Sequence, residues 1–519
     1  MAHIVIINPR FETSYWGLEH VLPLFGAKAN LPVACLPLLA ALTPAEHVVT
    51  LIDENVEPID YELCARADIV GLTGMIVQRF RMKEILRELR QRNCFTVVGG
   101  PWVTVEENYF EKLADVIFIG EAEETWPRFL VEWQEGRQAR RYEQIDRTDM
   151  SAVPIPRFDL LKMDDYAVGS IQFSRGCPFT CEFCDIIVVF GRRPRIKTSA
   201  QIIAEIEALL AAGMDTAFIV DDNLIGNKKA IKEVLQDVVA WQERHHYPMT
   251  FLTEASIDLA DDPELVQLMI DVNVRVVFIG IETPNEAALK ETKKLQNMRK
   301  GASMLEKVHR IQDAGIEVWC GMILGFDSDD MSIFDAQRAF IKDARIVNAM
   351  VGMLAAIPKT PLYTRLEKEG RLDRDDPPAF GTNVIPLRLS RERLRDGYID
   401  VLSDLHGPAA YFDRLDALYL DARIQPERTR LRHLRHHPIR LLALNASWAA
   451  EALGIFLRLM RTVDDADLRR IYRRRLSKVL RRRCSPLMLQ IYAIKCAMHY
   501  HSHLMVRQMK TGGQIVNSF

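Results

Sequence analysis

The sequence predicts an α/β protein with two consecutive strand–helix regions and a helical C-terminal region. Short, nearly continuously apolar runs recur through the first 140 residues, and a second strand–helix series begins at Ser170. From about Ser390 no convincing strand follows. Such apolar runs are typical of parallel strands that helices cover on both faces. A composition of 48% hydrophobic and 26% charged residues excludes a disordered chain.

Residues 1–145 are predicted to form an open, doubly wound, Rossmann-like sheet. The predicted strands are HIVII (3–7), HVVTLI (47–52), DIVGLT (68–73), FTVVGG (95–100) and DVIFIG (115–120). Ligands on such sheets bind beyond the carboxyl ends of the strands. Small or polar residues follow these ends, so a binding edge is predicted at Asn8, Thr73, Gly74, Gly99, Gly100, Gly120 and Glu121.

Residues 146–168 contain a proline-bearing linker, and residues 169–389 are predicted to form most of a β/α barrel. The six predicted strands are SIQFSR (170–175), TAFIVD (216–221), MTFLTE (249–254), VRVVFIGI (274–281), IEVWCGMIL (316–324) and NAMVGMLAAI (348–357). Six strand–helix units indicate a partial, TIM-like (β/α)6 barrel, with its chemistry at the carboxyl ends of the strands. Residues 390–519 are expected to be a helical, basic extension.

Three cysteines directly after the first predicted barrel strand carry the strongest chemical signal. They occur as Cys177-Pro-Phe-Thr-Cys181-Glu-Phe-Cys184. Three thiolates can hold a four-iron, four-sulfur cluster but leave one iron open, and an open position is typical of a catalytic metal site. A zinc knuckle is the alternative, yet no further Cys or His follows until His245.

At these residues the chain resembles the radical S-adenosylmethionine (SAM) superfamily, whose signature is CxxxCxxC with an aromatic residue before the last cysteine, here Phe183. The resemblance implies that SAM chelates the open iron and is cleaved to a deoxyadenosyl radical. It also implies that SAM lies near Phe183, near Gly280, Ile281 and Glu282, and near Ile357 and Pro358.

Two further strand ends carry acids where a barrel active site would need them, Asp221-Asp222-Asn223 and Glu254. Asp221 and Glu254 are therefore candidates for holding the methionyl ammonium or the ribose hydroxyls of SAM. The alternative interpretation for Asp222 and Asn223 is N-capping of the following helix.

The first region lacks the GxGxxG pattern of dinucleotide binding after its first strand. An open sheet before a radical SAM barrel resembles the cobalamin-binding domain of the cobalamin-dependent branch. The resemblance implies that the predicted edge holds the corrin. The DxHxxG lower-ligand motif is absent, and His3 and His20 remain candidate ligands that are better explained as ordinary surface or packing residues.

Residues 169–198 and 220–227 resemble the hopanoid C-2 methylase group. This resemblance implies methyl transfer to an unactivated carbon, for example of a lipid such as a hopanoid, with one SAM methylating reduced cobalamin. It also implies an electron donor such as flavodoxin or ferredoxin. One alternative is a cobalamin-dependent rearrangement or cyclisation without net methylation. Another is an iron–sulfur redox sensor that binds nucleic acid.

The net charge of −3 conceals a strong asymmetry. Up to Leu420 there are 47 basic and 64 acidic residues, and after it 20 basic and 6 acidic residues, or about −17 and about +14. The segment 441–460 has the length of a bilayer span but contains Asn445, Glu451 and Arg458, which favours an interfacial helix. Two interpretations of the basic region therefore stay open, peripheral membrane contact and a helical cap on the acidic body. Binding of nucleic acid is disfavoured.

The predicted location is the cytosol, with peripheral contact at the inner face of the membrane. Nine cysteines at irregular positions indicate reduced thiols. The N-terminus has no basic segment followed by a cleavable apolar run, and no conventional transmembrane span is predicted.

Overall fold

The computed structural model describes residues 1–298, 301–512 and 515–517. Its N-terminal region contains six parallel strands in the order β2-β1-β3-β4-β5-β6. They are β1 (His3–Asn8), β2 (Val48–Asp53), β3 (Ile69–Thr73), β4 (Thr96–Gly99), β5 (Val116–Ile119) and β6 (Arg141–Glu143). Five strands were predicted; β6 was missed because it has three residues, two of them exposed. The strand order reverses beside β1, which places a ligand crevice at the carboxyl ends of β1 and β3.

Helices cover both faces of this sheet. They are α1 (Leu22–Phe25), α2 (Cys35–Leu42), α3 (Tyr61–Arg66), α4 (Arg79–Gln91), α5 (Pro101–Val105) and α6 (Thr125–Gln134). Met82, Ile85 and Leu89 of α4 belong to one apolar cluster, and Leu36 of α2 and Phe129 of α6 belong to another. The doubly wound prediction is therefore confirmed.

The described residues of the second region contain eight strands. They are β7 (Gly169–Ile171), β8 (Ser174–Arg175), β9 (Arg195–Ile196), β10 (Thr216–Ile219), β11 (Thr250–Glu254), β12 (Val274–Glu282), β13 (Glu317–Leu324) and β14 (Ala349–Met353). β7 and β10 to β14 form a parallel sheet in sequential order, which is the predicted partial, six-stranded barrel. β8 and β9 form a separate antiparallel pair.

The first predicted barrel strand is split into β7 and β8. The Asp221 carboxylate, after β10, accepts hydrogen bonds from the Phe173 N–H (2.7 Å) and the Ser174 hydroxyl (2.6 Å). These bonds turn the chain out of the sheet, so that β8 pairs with β9 immediately before the cysteines.

The helices of the barrel region surround its core. They are α7 (Ile186–Val189), α8 (Ser199–Ala211), α9 (Lys228–Arg244), α10 (Pro263–Val272), α11 (Glu286–Glu291), α12 (Met304–Ala314), α13 (Ile333–Asp343) and α14 (Pro361–Lys368). Their starts follow ordinary capping rules, since Thr198 and Ser303 form capping boxes at the starts of α8 and α12. The resulting scaffold holds the strand ends in place.

The C-terminal region is helical, as predicted. It comprises α15 (Arg391–Leu405), α16 (Pro408–Asp416), a π-helical turn (Ala417–Asp421), α17 (Arg428–Leu434), α18 (Pro438–Thr462), α19 (Ala466–Arg482) and α20 (Pro486–Lys510). Helix α15 supplies Tyr398 and Leu402 to the core of the barrel, whereas α18, α19 and α20 share a second core. The extension is therefore packed against the barrel.

Candidate active site between the two sheets

The carboxyl ends of both sheets line one cavity of about 2650 Å³. The sequence-predicted residues in its wall are Asn8, Thr73, Gly74, Gly99, Gly100, Gly120, Glu121, Cys177, Cys181, Phe183, Cys184, Asp221, Glu254, Gly280, Glu282, Ile357 and Pro358. Ile281 is the predicted residue that the structure does not bring there, because its side chain is fully buried in the barrel core. A wall shared by two domains can bring two bound groups together.

Three side chains from two segments, the loop after β10 and the segment between α11 and α12, brace the cysteine loop. The Asp222 carboxylate accepts a hydrogen bond from the Gly176 N–H (2.8 Å) just before Cys177. The Asn223 amide nitrogen lies 3.9 Å from the Cys177 sulfur, and the Gln296 amide nitrogen lies 3.5 Å from the Cys181 sulfur. N–H groups directed at thiolate sulfurs are a means of tuning an iron–sulfur cluster.

The donor set fits a cluster better than a single zinc ion. Sulfur ligands of one tetrahedral zinc lie about 3.8 Å apart. In the described structure, the sulfur atoms of the three cysteines do not all lie within 4.8 Å of one another. Burial raises the pKa of the Cys177 thiol and raises that of the Cys184 thiol strongly. Holding both as thiolates therefore requires nearby positive charge, which iron supplies.

The contacts of the Asp221–Asn223 segment contradict its interpretation as a helix cap, whereas the holding of SAM by Asp221 stays a prediction. Asp221 shapes the turn between β7 and β8, and Asp222 and Asn223 brace the cysteine loop. The following helix, α9, is capped instead by Asn227, whose side chain accepts a hydrogen bond from the Ala230 N–H. The capping interpretation is therefore wrong for Asp222 and Asn223.

Glu254, at the end of β11, presents a carboxyl group to the cavity. No hydrogen bond to this carboxyl is found within the described ranges. Burial, and then the charges of Asp222 and Asp221, raise its pKa to about 8, while the nearby Lys294 lowers it. A cationic ligand group beside this carboxyl would therefore strongly stabilise its ionised form.

At the end of β12, Gly280 makes room for a buried ion pair. The Lys294 ammonium donates to the Glu282 carboxylate at 2.6 Å, and Glu282 has a left-handed φ of 64°. A Cβ on Gly280 would lie 2.3 Å from the Glu282 carboxylate and 2.9 Å from the Lys294 nitrogen. A side chain at position 280 would therefore force the Glu282 and Lys294 side chains to shift.

Phe183 and the Ile357-Pro358 segment complete the mouth of the barrel. The Phe183 ring centroid lies 6.1 Å from that of Phe326 and 6.0 Å from the Lys294 nitrogen. Ile357 packs against the apolar cluster of the first domain, and the Lys359 ammonium donates to the Thr104 carbonyl at 2.7 Å. This segment therefore joins the two domains beside the cavity.

The small residues along the first sheet allow its strand ends to pack closely. A Cβ on Gly100, whose φ is 101°, would lie 2.6 Å from the Thr73 hydroxyl. One on Gly74 would lie 2.7 Å from the Met82 sulfur. Asn8 is held by Asp53 and Gln78. Close packing accounts for these residues whether or not a ligand touches them.

Glu121 lies in a buried charge cluster that connects the domains. Its carboxylate pairs with Arg175 at 2.9 Å and with Arg195 at 3.0 Å, and Arg175 also pairs with Glu123 at 2.5 Å. Both arginines belong to the β8–β9 pair that carries the cysteine loop. Glu121 therefore holds the two domains together in addition to lining the cavity.

The cavity wall includes buried polar atoms without a protein partner. The Trp102 indole N–H and the Gln296 side-chain oxygen make no hydrogen bond within the described chain. No histidine in the described ranges lines the cavity. His3 bonds Thr50 at the opposite end of β1, and His20 packs on His501. A protein histidine ligand for cobalamin is therefore not supported, whereas the unpaired polar atoms fit a wall that receives a polar ligand.

Sequence reasoning missed several residues of this site, among them Lys294, Gln296, Arg175 and Trp102. Each lies outside the motif, and Lys294 and Gln296 lie in the segment between α11 and α12, where no periodic pattern predicts a position. Of these residues, only Arg175 could have been suspected from the sequence, because it lies beside the cysteine motif and charged residues there often have partners.

Two family models match the chain. One, the Radical SAM superfamily, matches residues 171–336, and the other, a domain of unknown function named DUF4070, matches residues 360–514. Together with the cysteine loop and the two-sheet cavity, these matches identify a radical SAM enzyme.

The chain belongs to the cobalamin-dependent radical SAM methyltransferases, as two relatives show. An uncharacterized methyltransferase of Synechocystis sp. is 39% identical over 416 residues, which cover 79% of this chain and 77% of the relative. The hopanoid C-2 methylase of Rhodopseudomonas palustris is 34% identical over 419 residues, or 80% of this chain and 78% of that enzyme. The predicted enzyme class and its three cofactors are confirmed.

Solved structures support the fold. The radical SAM methyltransferase TsrM from Kitasatospora setae, with cobalamin and a [4Fe-4S] cluster bound, has a TM-score of 0.59 at 16% identity, covering 71% of this chain and 75% of TsrM. The cobalamin-dependent radical enzyme OxsB has a TM-score of 0.60 at 15% identity, covering 99% of this chain and 80% of OxsB. At these identities the likeness concerns the fold alone.

Proposed function

We propose that this enzyme transfers a methyl group to an unactivated carbon of a lipid such as a hopanoid. The observation that carries the proposal is the single cavity lined both by the cysteine loop and by the carboxyl edge of the first sheet. When bound, the cluster with SAM supplies a hydrogen-abstracting radical, and cobalamin supplies the methyl group. A shared cavity lets one substrate carbon lie beside both groups.

We assign the holding of SAM to the barrel mouth. Cys177, Cys181 and Cys184 would hold the cluster, and the Glu254 carboxyl is available for the methionyl ammonium. The Lys294–Glu282 pair fixes the end of β12, and Phe183 supplies an apolar wall. In this assignment these residues bind and orient the cluster and SAM. Asp221 contributes indirectly, through the turn between β7 and β8 that it shapes.

We assign cobalamin to the edge of the first sheet. The residues predicted there are Asn8, Thr73, Gly74, Gly99, Gly100, Gly120 and Glu121, to which the structure adds the Trp102 indole N–H. The close-packed glycines keep the strand ends free of side chains, so a broad, flat group can approach the backbone. Glu121 positions the edge through its arginine partners.

The apolar barrel interior favours a hydrocarbon-rich substrate. The cavity wall includes Phe218, Leu252, Phe278, Trp319 and Met350 on successive barrel strands. Large apolar side chains bind by excluding water from a ligand of similar character. The named activity of the Rhodopseudomonas palustris relative agrees with such a substrate.

Product analysis after anaerobic reconstitution tests the proposed reaction. The enzyme would be supplied with iron, sulfide, cobalamin, SAM, a hopanoid and dithionite, with a flavodoxin or ferredoxin as the alternative donor. The proposal expects 5′-deoxyadenosine, S-adenosylhomocysteine and a hopanoid heavier by one methylene unit. An altered product of unchanged mass, without S-adenosylhomocysteine, would instead indicate rearrangement or cyclisation. Absence of 5′-deoxyadenosine would favour a redox sensor.

We further propose that α18 lies on an anionic membrane surface at the cytosolic side. Within the described residues, α18 is the one helix with the length and composition of a bilayer span, at a mean hydropathy of 1.2. One face, with Trp448 and Ile455, is buried in the C-terminal core. The other exposes an apolar stripe whose largest members are Ile439, Leu442, Leu453 and Leu457, at helical spacing. A helix docked along one face suits the interface better than a span.

Exposed basic residues of the C-terminal region support lipid as the occupant. Arg440 and Arg461 are exposed at the ends of α18, and Arg473, Arg474 and Arg481 of α19 are exposed without an ion pair to the described residues. By contrast, Arg475 and Lys478 pair with Asp416, and Arg482 pairs with Asp421. Part of the basic charge therefore caps the body, and part remains free to meet anionic headgroups.

Vesicle flotation tests this contact. Vesicles rich in phosphatidylglycerol are expected to bind the wild-type enzyme, and binding should weaken at high salt. The double variant Leu442→Glu/Leu453→Glu should lose binding, whereas Leu387→Glu, at an exposed leucine outside the extension, should retain it. Equal binding by all three proteins, or no binding by the wild type, would favour a helical cap alone.

A further inference from the structure

Three histidines from distant parts of the sequence meet on the side of the protein away from the cysteine loop. His246 lies between α9 and β11, His433 lies in α17, and His437 immediately precedes α18. Their potential ligand nitrogens all lie within 4.8 Å of one another, and all three side chains are partly buried. This is the one such group of three His, Cys, Asp or Glu side chains among the described residues.

The distances between the rings suit a shared ligand. The His246 Nδ1 and the His433 Nε2 are 3.3 Å apart. The His246 ring centroid lies 4.2 Å from that of His437, and the His433 and His437 centroids are 5.0 Å apart. Imidazole nitrogens bound to one tetrahedral zinc lie about 3.4 Å apart, so small ring rotations would complete the geometry.

The backbone of each segment directs these rings to the same place. His246 and Tyr247 both have left-handed φ values, 62° and 58°, in the turn before β11. His433 and His437 are four residues apart across the end of α17, a spacing that places two side chains on one side of a helical turn. Tyr247 packs beneath His433 with its ring centroid 5.2 Å away.

The His246 and His433 rings contact each other through ring nitrogens, and imidazole nitrogens are common metal ligands. No hydrogen bond to the His437 ring is found in the described part of the chain, so one imidazole of the group lacks a protein partner.

We propose that His246, His433 and His437 form a binding site for a divalent transition metal ion such as Zn²⁺. Three imidazole ligands leave a coordination position for water. The ion would join the turn before β11 to the corner between α17 and α18, next to contacts that already dock α17 on the barrel. Among these contacts are Arg430 to Thr250 at 3.2 Å and Thr429 to Asp271 at 2.7 Å. The site would therefore fasten the C-terminal extension to the barrel.

The position of the group separates it from the proposed chemistry. His246 precedes β11, whereas Glu254 lies at the other end of that five-residue strand. Five strand residues span about 17 Å. A metal at the histidines would accordingly act on stability and on the placement of α18, and not on the reacting carbon.

Zinc binding by the reconstituted holoenzyme tests the proposal. After removal of loosely bound metal, equilibrium dialysis against zinc should load one more zinc per chain in the wild type than in His433→Gln/His437→Gln. His436→Gln alters an exposed neighbour outside the group and should behave as the wild type. X-ray absorption at the zinc edge should show nitrogen ligands at about 2.0–2.1 Å. Zinc should also raise the Tm of the wild type and of His436→Gln, but not that of the double variant.

Two results would overturn the site. One is equal zinc content in the wild type and the double variant, and the other is a zinc environment dominated by sulfur, which would place the ion at the cysteine loop. Iron content and circular dichroism of each variant show whether it has folded. A single variant, His437→Gln, provides a second comparison that leaves the His246 turn intact.

Discussion

At the scale of single residues, the barrel mouth is organised around buried charges that are paired with each other. Lys294 binds Glu282, and the charges of Cys181 and Cys184 lie close enough to contribute to the raised pKa of Lys294. Burial of an ion pair costs desolvation, so a pair kept in this position is better explained by an electrostatic role than by stability. We infer that Lys294 offsets the negative charge of the cluster and its thiolates.

Replacing Lys294 should therefore make the cluster harder to reduce. In Lys294→Met the cation is removed and Glu282 is left buried without its partner, which costs about 3–5 kcal/mol. The cluster potential is expected to become more negative and 5′-deoxyadenosine formation to slow, whereas Lys294→Arg should retain most of both. Potentiometric titration followed by electron paramagnetic resonance measures the effect. Equal potentials in the Met and Arg variants would contradict the inference.

The raised pKa of Glu254 should make the free energy of unfolding decrease as the pH rises. Its pKa is about 8 in the folded protein, against about 4.3 in an unfolded chain. Between these values the folded state holds a proton that the unfolded state has released, so the favourable contribution is present at low pH and lost by about pH 8. In the cofactor-free protein, the Tm of the wild type relative to Glu254→Gln should fall between pH 5 and pH 8. A pH-independent difference would show that the carboxyl is already ionised.

At the scale of secondary-structure elements, the β8–β9 pair links the cysteine loop to the first sheet. Arg175 is almost fully buried between Glu121 and Glu123, and Arg195 pairs with Glu121. The pair therefore fixes the distance between the two strand edges that line the cavity.

Removing the Arg175 charge should lower the stability of the whole enzyme. Arg175→Met leaves buried carboxylates with less compensation, and a loss of about 3–5 kcal/mol in the free energy of unfolding is expected. Arg137→Met is the matched control, because Arg137 and Glu135 form an exposed pair worth less than about 1 kcal/mol. Thermal unfolding compares the two variants. Similar small losses in both would mean that the domains are joined chiefly by apolar contacts.

Elements with strong apolar periodicity could be predicted from the sequence, and the contacts between distant elements could not. The runs at β1 to β5 and β10 to β14 were recognisable because buried parallel strands are continuously apolar. The short polar strand β6 and the split of the first barrel strand were not, since each depends on partners far along the chain. The same limit applies to the histidine group, in which His246 and His433 are 187 residues apart.

At the scale of the whole molecule, the acidic and basic parts of the chain join through buried contacts beneath the barrel. Glu317, at the start of β13, accepts hydrogen bonds from Tyr419 and from Lys495 of α20. Lys495 also binds Asn348 at 2.6 Å, and Arg275 pairs with Glu427 at 3.4 Å. The Lys495–Glu317 pair thus neutralises a small part of the charge asymmetry inside the protein, and all of these contacts agree with an integral extension.

Removing the extension should consequently destroy the barrel domain. A chain ending at Leu389 would expose the apolar core that α15 and α20 share with the barrel and would leave Glu317 without Lys495. We expect it to be insoluble or unable to hold the cluster, as measured by gel filtration and iron content. In the full chain, Lys495→Met should lower stability by about 3–5 kcal/mol, because it leaves Glu317 buried without a cation. A soluble truncated chain with a full cluster, together with an unchanged Lys495→Met protein, would instead make the extension an accessory part whose role is confined to the surface of α18 and α19.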